Sequence, residues 1–583
     1  MTQCHEDPWL NRVIAGLSLE QQVGQLLVAR IVPRACTVQS ARDECYRLVE
    51  ALQPGGFYVG GSGRAEEIQL LDELQHRSAV PLLYCADFEA GVGLAWPEAG
   101  TRLPMPLALA AIGDPAAARE AAQLAAREAR ACGICWNLAP VCDLNLDPDN
   151  PIINVRSFGD DPVRVGELVA STIDGFQAEG VLACAKHFPG TGRTDRDSHQ
   201  ELPTVQASSE ELDAMELLPF RRAIAASVGS VMTGHVCVPA LMGPETLPAT
   251  LCPRTVTGLL RERLGFDGLV VTDSLKMRSV SQRYTPEQSA VAALAAGADC
   301  ILLSPDPRLA KRAIIGAVHD GRLSEERIAT SVRRVLRAKA WCGLSGGARS
   351  TSESHAASLR TKDAVVLSQS LAARAVTVVS DEAGWLPLRS GGTRSLMHIA
   401  LLDTQSRWRA EHVTAMTAVF RRQLPEVHLD VAFQKPRSKL VSWFHPECRG
   451  QIPEALAPRF GLQAPRREQL LSAARRSTAV VVSVHRWTRG YGPAPVLVEP
   501  ELSLIRELCR LDVPVVVVAL ASPYVLRQLD WVRCRLATCD WARELAEAAG
   551  RVIVGEISAL GKLPVALGRG AAGDRPAAPT TGA

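Results

Sequence analysis

Four apolar runs in the chain end abruptly in side chains that carry charge or move protons. Residues 81–86 run into Asp87, 181–185 into Lys186 and His187, 230–234 into His235, and 269–272 into Asp273. One such ending is an ordinary turn or helix cap. Four of them point to side chains that converge on one pocket. The densest stretch is Lys-His-Phe-Pro-Gly-Thr-Gly-Arg-Thr-Asp-Arg-Asp-Ser-His at 186–199. It leaves an apolar run and passes through Pro-Gly-Thr-Gly, a poor helix former. It then presents Asp195, Asp197 and His199 within five positions. Asp197 and His199 are two apart, so the carboxylate can hold the imidazole in one tautomer. A histidine held this way suits an acid that later acts as a base near neutral pH. His187, His235 and Asp273 would also serve as ligands for a first-row metal in a hydrolase. No His-x-His follows the first apolar run, which makes that chemistry the weaker match.

The elements that must position these residues follow from the apolar pattern. Eight short runs lie at 25–32, 55–59, 81–86, 134–138, 181–185, 230–234, 269–272 and 299–303. Most lack the alternation of a half-wet strand and read as strands buried on both faces, hence a parallel sheet. Between them lie Ala-, Glu-, Arg- and Leu-rich stretches at 115–131, 162–179, 208–226, 253–264 and 286–296, which read as helices. Ser208 followed by Glu211 predicts a capping box. Eight such units predict an α/β fold with an N-terminal TIM-type (β/α)8 barrel, although periodicity alone leaves an open doubly wound sheet available. The polar strand ends suit either architecture, because both bind ligands at the carboxyl ends of their strands.

A helix expected at 325–340 closes this part, placing the first domain at 1–342. A Gly/Ser-rich stretch at 343–360 reads as a linker. Strand-like runs at 375–380, 397–402, 427–432, 479–484 and 513–520, with helices at 499–511 and 540–552, predict a second α/β domain over 361–570. Residues 571–583 read as a tail.

Composition excludes several function classes. The 583 residues are 47% hydrophobic and 22% charged, ordinary for a globular chain. Sixty-four basic and 62 acidic residues nearly cancel, so nothing argues for nucleic acid as partner. No apolar run approaches the roughly 20 residues that span a bilayer. The first residues lack the basic and apolar regions of a secretory signal, which suggests a cytoplasmic location. The 16 cysteines are scattered, and many lie inside apolar runs. A lone Cys-x-x-Cys at 132–135 is weak as a metal or redox motif, and buried free thiols are expected.

Three long motifs carry a resemblance to a known family. They are Lys-His-Phe-Pro-Gly-Thr-Gly at 186–192 with Asp-Ser-His at 197–199, Asn-Pro-Ile-Ile-Asn-Val-Arg-Ser-Phe-Gly-Asp-Asp-Pro at 150–162, and Gly-Phe-Asp-Gly-Leu-Val-Val-Thr-Asp-Ser-Leu-Lys-Met at 265–277. Together they resemble glycoside hydrolase family 3, and within it the bacterial β-N-acetylglucosaminidases of the muropeptide-recycling type. The likeness covers most of the first 340 residues. The second half is similar more loosely, through Ala-Arg-Ala-Val-Thr-Val-Val at 373–379, Leu-Pro-Leu at 386–388 and Gly-Lys-Leu-Pro-Val at 561–565.

The resemblance implies a barrel followed by a C-terminal α/β sandwich domain. It also implies a retaining exo-glycosidase that removes terminal β-linked N-acetylglucosamine from cell-wall or chitin-derived fragments. Asp273 would match the nucleophile, His199 the acid/base and Asp197 its dyad partner. Asp87, Arg156, Lys186 and His187 would match residues that bind sugar hydroxyls, with His235 ranked below them. Neither metal nor cofactor is implied. A neutral histidine would also tolerate phosphate as an acceptor in place of water. Two positions depart from the family: Val92 stands where it has Arg, and Thr191 where it has a second His. Other readings are a family-3 β-glucosidase or β-xylosidase, a metal-dependent barrel hydrolase and an inactive sugar-binding homologue.

Overall fold

The computed structural model of the chain describes residues 8–32, 35, 37–61, 65–243, 246–346, 358–388, 392–402, 410–433, 459–460, 462, 464–486 and 496–568. It divides into two compact units, with the boundary between Ala375 and Val376. In the first unit, eight strands overlap the eight apolar runs, the strand at Cys184–Phe188 lying three residues later than its run so that Lys186 and His187 fall within it. They are β1 Leu27–Ile31, β2 Gly56–Val59, β3 Leu83–Ala86, β4 Trp136–Asn137, β5 Cys184–Phe188, β6 Ser230–Thr233, β7 Leu269–Thr272 and β8 Ile301–Leu302.

All pairings among these strands are parallel. They form two curled sheets, ordered β4-β3-β2-β1-β8 and β5-β6-β7. Single bridges join the sheets at both seams, Trp136 to Leu182 before β5 and Val271 to Cys300 before β8. The strands are buried almost throughout, as expected of a parallel sheet covered by helices. Their carboxyl ends therefore gather on one side, where the charged residues singled out above sit.

Two predicted helices differ in detail. The stretch 208–226 breaks into Ser209–Ala214 and Leu217–Ala225. Pro219 has no N–H to donate, and its ring crowds the carbonyl of Met215 four residues back. The capping box forms as expected, with Ser208 Oγ accepting from Glu211 N at 3.1 Å and Ser208 N donating to Glu211 Oε2 at 2.8 Å. The helix Arg254–Arg263 is wound wider than an α-helix, so that Leu264 N donates to Leu259 O five residues back.

The boundary also differs. The helix Lys362–Ala375 packs on Pro106–Ile112 and Pro115–Ala131 of the first unit. Ser368 Oγ donates to Arg102 O at 2.6 Å, and Arg374 pairs with Asp114 at 2.6 Å. A Gly/Ser run marks where the helical pattern lapses, which need not be where packing changes hands. Residues 347–357 of the expected linker and the 571–583 tail lie outside the described residues.

The second unit is also α/β. Its strands are β9 Thr377–Asp381, β10 Ser395–Leu402, β11 Glu426–Phe433, β12 Arg459–Phe460, β13 Ala479–Arg486, β14 Val515–Ala521 and β15 Cys534–Ala537. They form one sheet ordered β12-β11-β10-β13-β14-β15-β9, parallel except at the β15–β9 edge. The sequence pattern missed β12 and β15, short strands that each carry an arginine, Arg459 and Arg535, in place of a continuous apolar run. Among the described residues no helix is long and apolar enough to cross a membrane. The described cysteines are free, and all but Cys509 are buried.

At the amino ends of the strands, a buried Asp299 ties β7 to the outer helices. It accepts from Val270 N at 3.0 Å and Ser331 Oγ at 2.7 Å, and it pairs with Arg261, Arg327 and Arg334. Removing one partner of a buried ion pair leaves charge unpaired, at a cost of about 3–5 kcal/mol. Asp299→Ala should therefore lower the calorimetric unfolding midpoint of the protein clearly. An unchanged midpoint would show that the three arginines re-solvate without it.

Candidate active site

The site starts with charge at the ends of β3, β4 and β5. Asp87 follows β3 directly, and its carboxylate accepts from Tyr58 Oη at 3.0 Å and from Lys186 Nζ at 2.7 Å. Lys186 also reaches Glu89 Oε1 at 2.7 Å. Glu89 in turn takes a two-pronged bond from Arg156, Nε to Oε2 at 2.9 Å and Nη2 to Oε1 at 2.7 Å. Arg156 closes the short turn Asn154–Arg156 beyond β4. Burial alone would raise the Glu89 carboxyl, yet Arg156 and Lys186 outweigh it and hold the group well below the usual carboxylate range. Glu89 is thus an ionised anchor with no proton to give.

Lys186 and His187 are neighbours in the chain, and simple strand alternation would send them to opposite faces. Between Ala185 and Phe188 the β5–β6 register shifts, so two residues of β5 face one of β6. This bulge turns both side chains into the same cavity. His187 is then fixed by Asp143, which the sequence pass did not single out. Asp143 Oδ2 lies 2.7 Å from His187 Nδ1 and 3.1 Å from its backbone N. The other oxygen accepts from Thr191 N at 2.6 Å and Thr191 Oγ1 at 3.0 Å. Burial raises the Asp143 carboxyl, but His187 and Thr191 outweigh it and bring it below its ordinary value. An ionised Asp143 can only accept, so Nδ1 of His187 carries hydrogen. Thr191, at the family's histidine position, spends its hydroxyl on this carboxylate.

The loop after β5 is pinned at its base. Asn150 Nδ2 donates to the carbonyls of Thr191 at 3.0 Å and Thr194 at 2.8 Å, while its oxygen accepts from Ile152 N and Ile153 N. A Cβ on Gly192 would fall 1.6 Å from Leu144 O, so only glycine permits this approach. Arg193 holds the buried Glu216 at 2.7 Å. The loop then places Asp197 inside and His199 at the cavity. Asp197 Oδ1 accepts from the backbone N of His199 at 2.8 Å and lies 2.8 Å from its Nδ1. The carboxylate therefore takes Nδ1–H, and the ring lines the cavity.

Asp273 follows β7, with its backbone N donating to Thr233 O at 3.0 Å and its Oδ1 accepting from Ser274 N at 2.6 Å. Burial pushes the carboxyl up, while His235, His187, the Ser274 amide and His199 together bring it below its ordinary value. His235 lines the same cavity with both ring nitrogens engaged, Nδ1 with Thr250 Oγ1 at 2.9 Å and Nε2 with Ser274 O at 3.0 Å. Burial lowers its pKa and favours the neutral ring. In that form Nε2–H donates to Ser274 O, while Nδ1 faces Thr250 Oγ1, which also lies 3.1 Å from Thr233 O and 3.0 Å from Gly234 O. This leaves no free nitrogen for a sugar hydroxyl or a metal. Among the described residues no group of three or more His, Cys, Asp or Glu is arranged to hold a metal ion.

One cavity of about 410 Å³ brings seven of the eight sequence-derived site residues together: Asp87, Arg156, Lys186, His187, His199, His235 and Asp273. The eighth, Asp197, stands behind His199. The sequence pass missed Tyr58, Asp143 and Asn150 as site-building residues. Asn150 was within reach, since it opens the motif that contains Arg156.

A strand-end carboxylate, an Asp-backed imidazole and a charged grip for hydroxyls define a carbohydrate-processing α/β enzyme. The glycosyl hydrolase family 3 N-terminal domain model matches residues 18–338. The chain belongs to this family of glycoside hydrolases. A β-N-acetylglucosaminidase/β-glucosidase of Cellulomonas fimi is 33% identical over 390 residues, covering 65% of this chain and 68% of that one. A β-hexosaminidase A of Pseudoalteromonas piscicida is 32% identical over 434 residues, covering 67% and 71%. Among solved structures, a family 3 β-N-acetylglucosaminidase from Paenibacillus sp. strain FPU-7 aligns with a TM-score of 0.80 at 30% identity, over 95% of this chain and 100% of that one.

The depressed carboxyls predict acid behaviour. Glu89, Asp143 and Asp273 all lie below their unfolded values. Their stabilisation is complete above about pH 5 and is lost as pH falls through their folded values, below about 4. Asp143→Asn should be less stable than wild type at pH 7, and the gap should narrow as pH drops below about 4. A gap that stayed constant down to about pH 2 in urea titrations would show that Asp143 is not held ionised.

Proposed function

We propose that the chain is a retaining exo-β-N-acetylglucosaminidase acting on cell-wall or chitin-derived fragments. The observation that carries this reading is the shared cavity of Asp273 and the Asp197-backed His199. Asp273 attacks the anomeric carbon as the glycosidic C–O bond breaks, and Nε2–H of His199 protonates the departing oxygen. Water then attacks the glycosyl-Asp273 ester, gives its proton to His199 and releases Asp273. Asp87, Lys186, Arg156 and His187 bind the sugar hydroxyls. His235 holds the Ser274 segment beside the nucleophile and is reassigned from sugar binding to positioning.

The engagement of Glu89 by Arg156 and Lys186 removes it as a proton donor and so supports histidine as the acid. In this reading the eight strands are a (β/α)8 barrel and the second unit is the family's α/β sandwich domain. The buried free thiols fit a reducing, cytoplasmic setting. The name of the Cellulomonas fimi relative keeps glucosides as a second substrate.

Asp273→Ala should lose nearly all turnover while keeping its fold. A 5-fluoro glycosyl fluoride of N-acetylglucosamine should label Asp273 in wild type. The 4-nitrophenyl N-acetylglucosaminide should be cleaved with higher kcat/KM than the glucoside, giving a β-configured first product by NMR. Equal kcat/KM would defeat the sugar preference, and an α product would defeat the mechanism.

His199→Gly should depend on the leaving group. A sugar–sugar bond should slow by about 10²–10⁴-fold, because the alkoxide needs a proton. A dinitrophenyl glycoside should lose far less in its first step, and azide should rescue the second. Near wild-type cleavage of chitobiose by His199→Gly would remove His199 from the mechanism.

A further inference from the structure

A second cavity, of about 1030 Å³, lies at the amino-terminal side of β3 and β4, and its lining shares no described residue with the active-site cavity. Tyr84, Arg127, Arg130, Cys135, Cys342 and Leu344 are among the residues that wall it. Two of these are thiols from segments 207 residues apart. Cys135 directly precedes β4, and Cys342 directly follows the helix Glu325–Trp341. Cys342 Sγ lies 3.4 Å from Cys135 O and within hydrogen-bonding reach of the Cys135 sulfur. Cys135 keeps 8% of its surface open and Cys342 3%. The Cys-x-x-Cys at 132–135 thus contributes one thiol to a pair whose other member lies outside the motif. We propose that Cys135 and Cys342 form a thiol–disulfide exchange site, reached through this cavity, whose oxidant is a small disulfide of the oxidised-glutathione class. The site is independent of the glycosidase chemistry.

The two thiols are set unequally. The hydrogen bond from Cys342 lowers the Cys135 thiol, burial opposes it, and the Arg130 guanidinium adds to the lowering. Arg130 is fixed there by donating from Nη1 to Gly180 O at 2.8 Å. The same thiol–thiol bond, together with burial, pushes Cys342 well up. Burial also pushes up other core thiols, Cys85, Cys132, Cys142 and Cys300 among them. Cys135 is therefore the member that attacks, because the thiolate is the nucleophile, and Cys342 is the member that resolves. The Cys135 thiolate attacks one sulfur of the oxidant, breaks its S–S bond and expels one small thiolate. Cys342 gives its proton to that thiolate and attacks the Cys135 sulfur of the mixed disulfide. The second small thiolate leaves and takes the proton that Cys135 released. Two protein thiols are oxidised to one disulfide while one small disulfide is reduced to two thiols. Cavities of roughly 300–1,000 Å³ hold small ligands, so a glutathionyl group on Cys135 has room here. The product ties the amino end of β4 to the end of the helix Glu325–Trp341.

The test exposes the full-length protein in native buffer to oxidised glutathione, then applies acid quenching, alkylation and peptide mapping without reductant. Wild type should yield a linked Cys135–Cys342 peptide pair and about two reduced glutathiones per link, and dithiothreitol should reverse the link. Cys342→Ser has no resolving thiol and should trap a glutathionyl adduct on Cys135. In Cys135→Ser, adduct formation on Cys342 should be about tenfold or more slower than on Cys135 in Cys342→Ser. The mapping reads both positions apart from the exposed Cys509. Three results in wild type would overturn the proposal: a link that forms only in urea, a Cys132–Cys135 link in its place, or Cys135 and Cys342 both recovered as free thiols. Reaction of Cys342 in Cys135→Ser as fast as that of Cys135 in Cys342→Ser would overturn the assignment of Cys135 as the attacking thiol.

Discussion

Four charged side chains taken largely out of water govern the organisation of this site. Lys186 lies between Asp87 and Glu89, and Arg156 closes on Glu89 from the far side. Any one of these charges buried alone would cost several kcal/mol. Their arrangement holds only if β3, the turn beyond β4 and β5 keep their mutual positions. The cluster is therefore a gauge on the geometry of three strand ends. It also sorts the carboxylates by role. Glu89 is consumed as an anchor, Asp87 keeps an exposed edge toward the cavity, and Asp273 accepts from the Ser274 amide.

The histidines divide by the same logic. Each imidazole in the cavity has a different partner, and the partner decides what the ring can do. His187 gives Nδ1 to the buried Asp143, which makes it a rigid wall group. His235 gives both nitrogens to the protein. His199 sits on a loop at the cavity with a carboxylate behind it. Identical side chains are thus set differently by the partners that hold them.

Much of this was legible in the chain itself. The eight apolar runs located the eight strands, because a strand buried on both faces must be apolar along its length. Asp87, Lys186, His187, His235 and Asp273 stood out because a charge ending such a run needs a polar place to go. The Asp197–His199 pair was local, two residues apart, and so was written in sequence. What only the tertiary structure decided was everything that depends on distant segments meeting. Asp143 reaches His187 across 44 residues, and Glu89 reaches Arg156 across 67. No periodicity records such meetings. The bulge that turns Lys186 and His187 into one cavity is a property of the pairing between β5 and β6, not of either strand. The end of the first unit at Ala375 was hidden for the same reason: a helix belongs to whatever surface it buries its face against, and that surface, the helices Pro106–Ile112 and Pro115–Ala131, lies far from it in the chain.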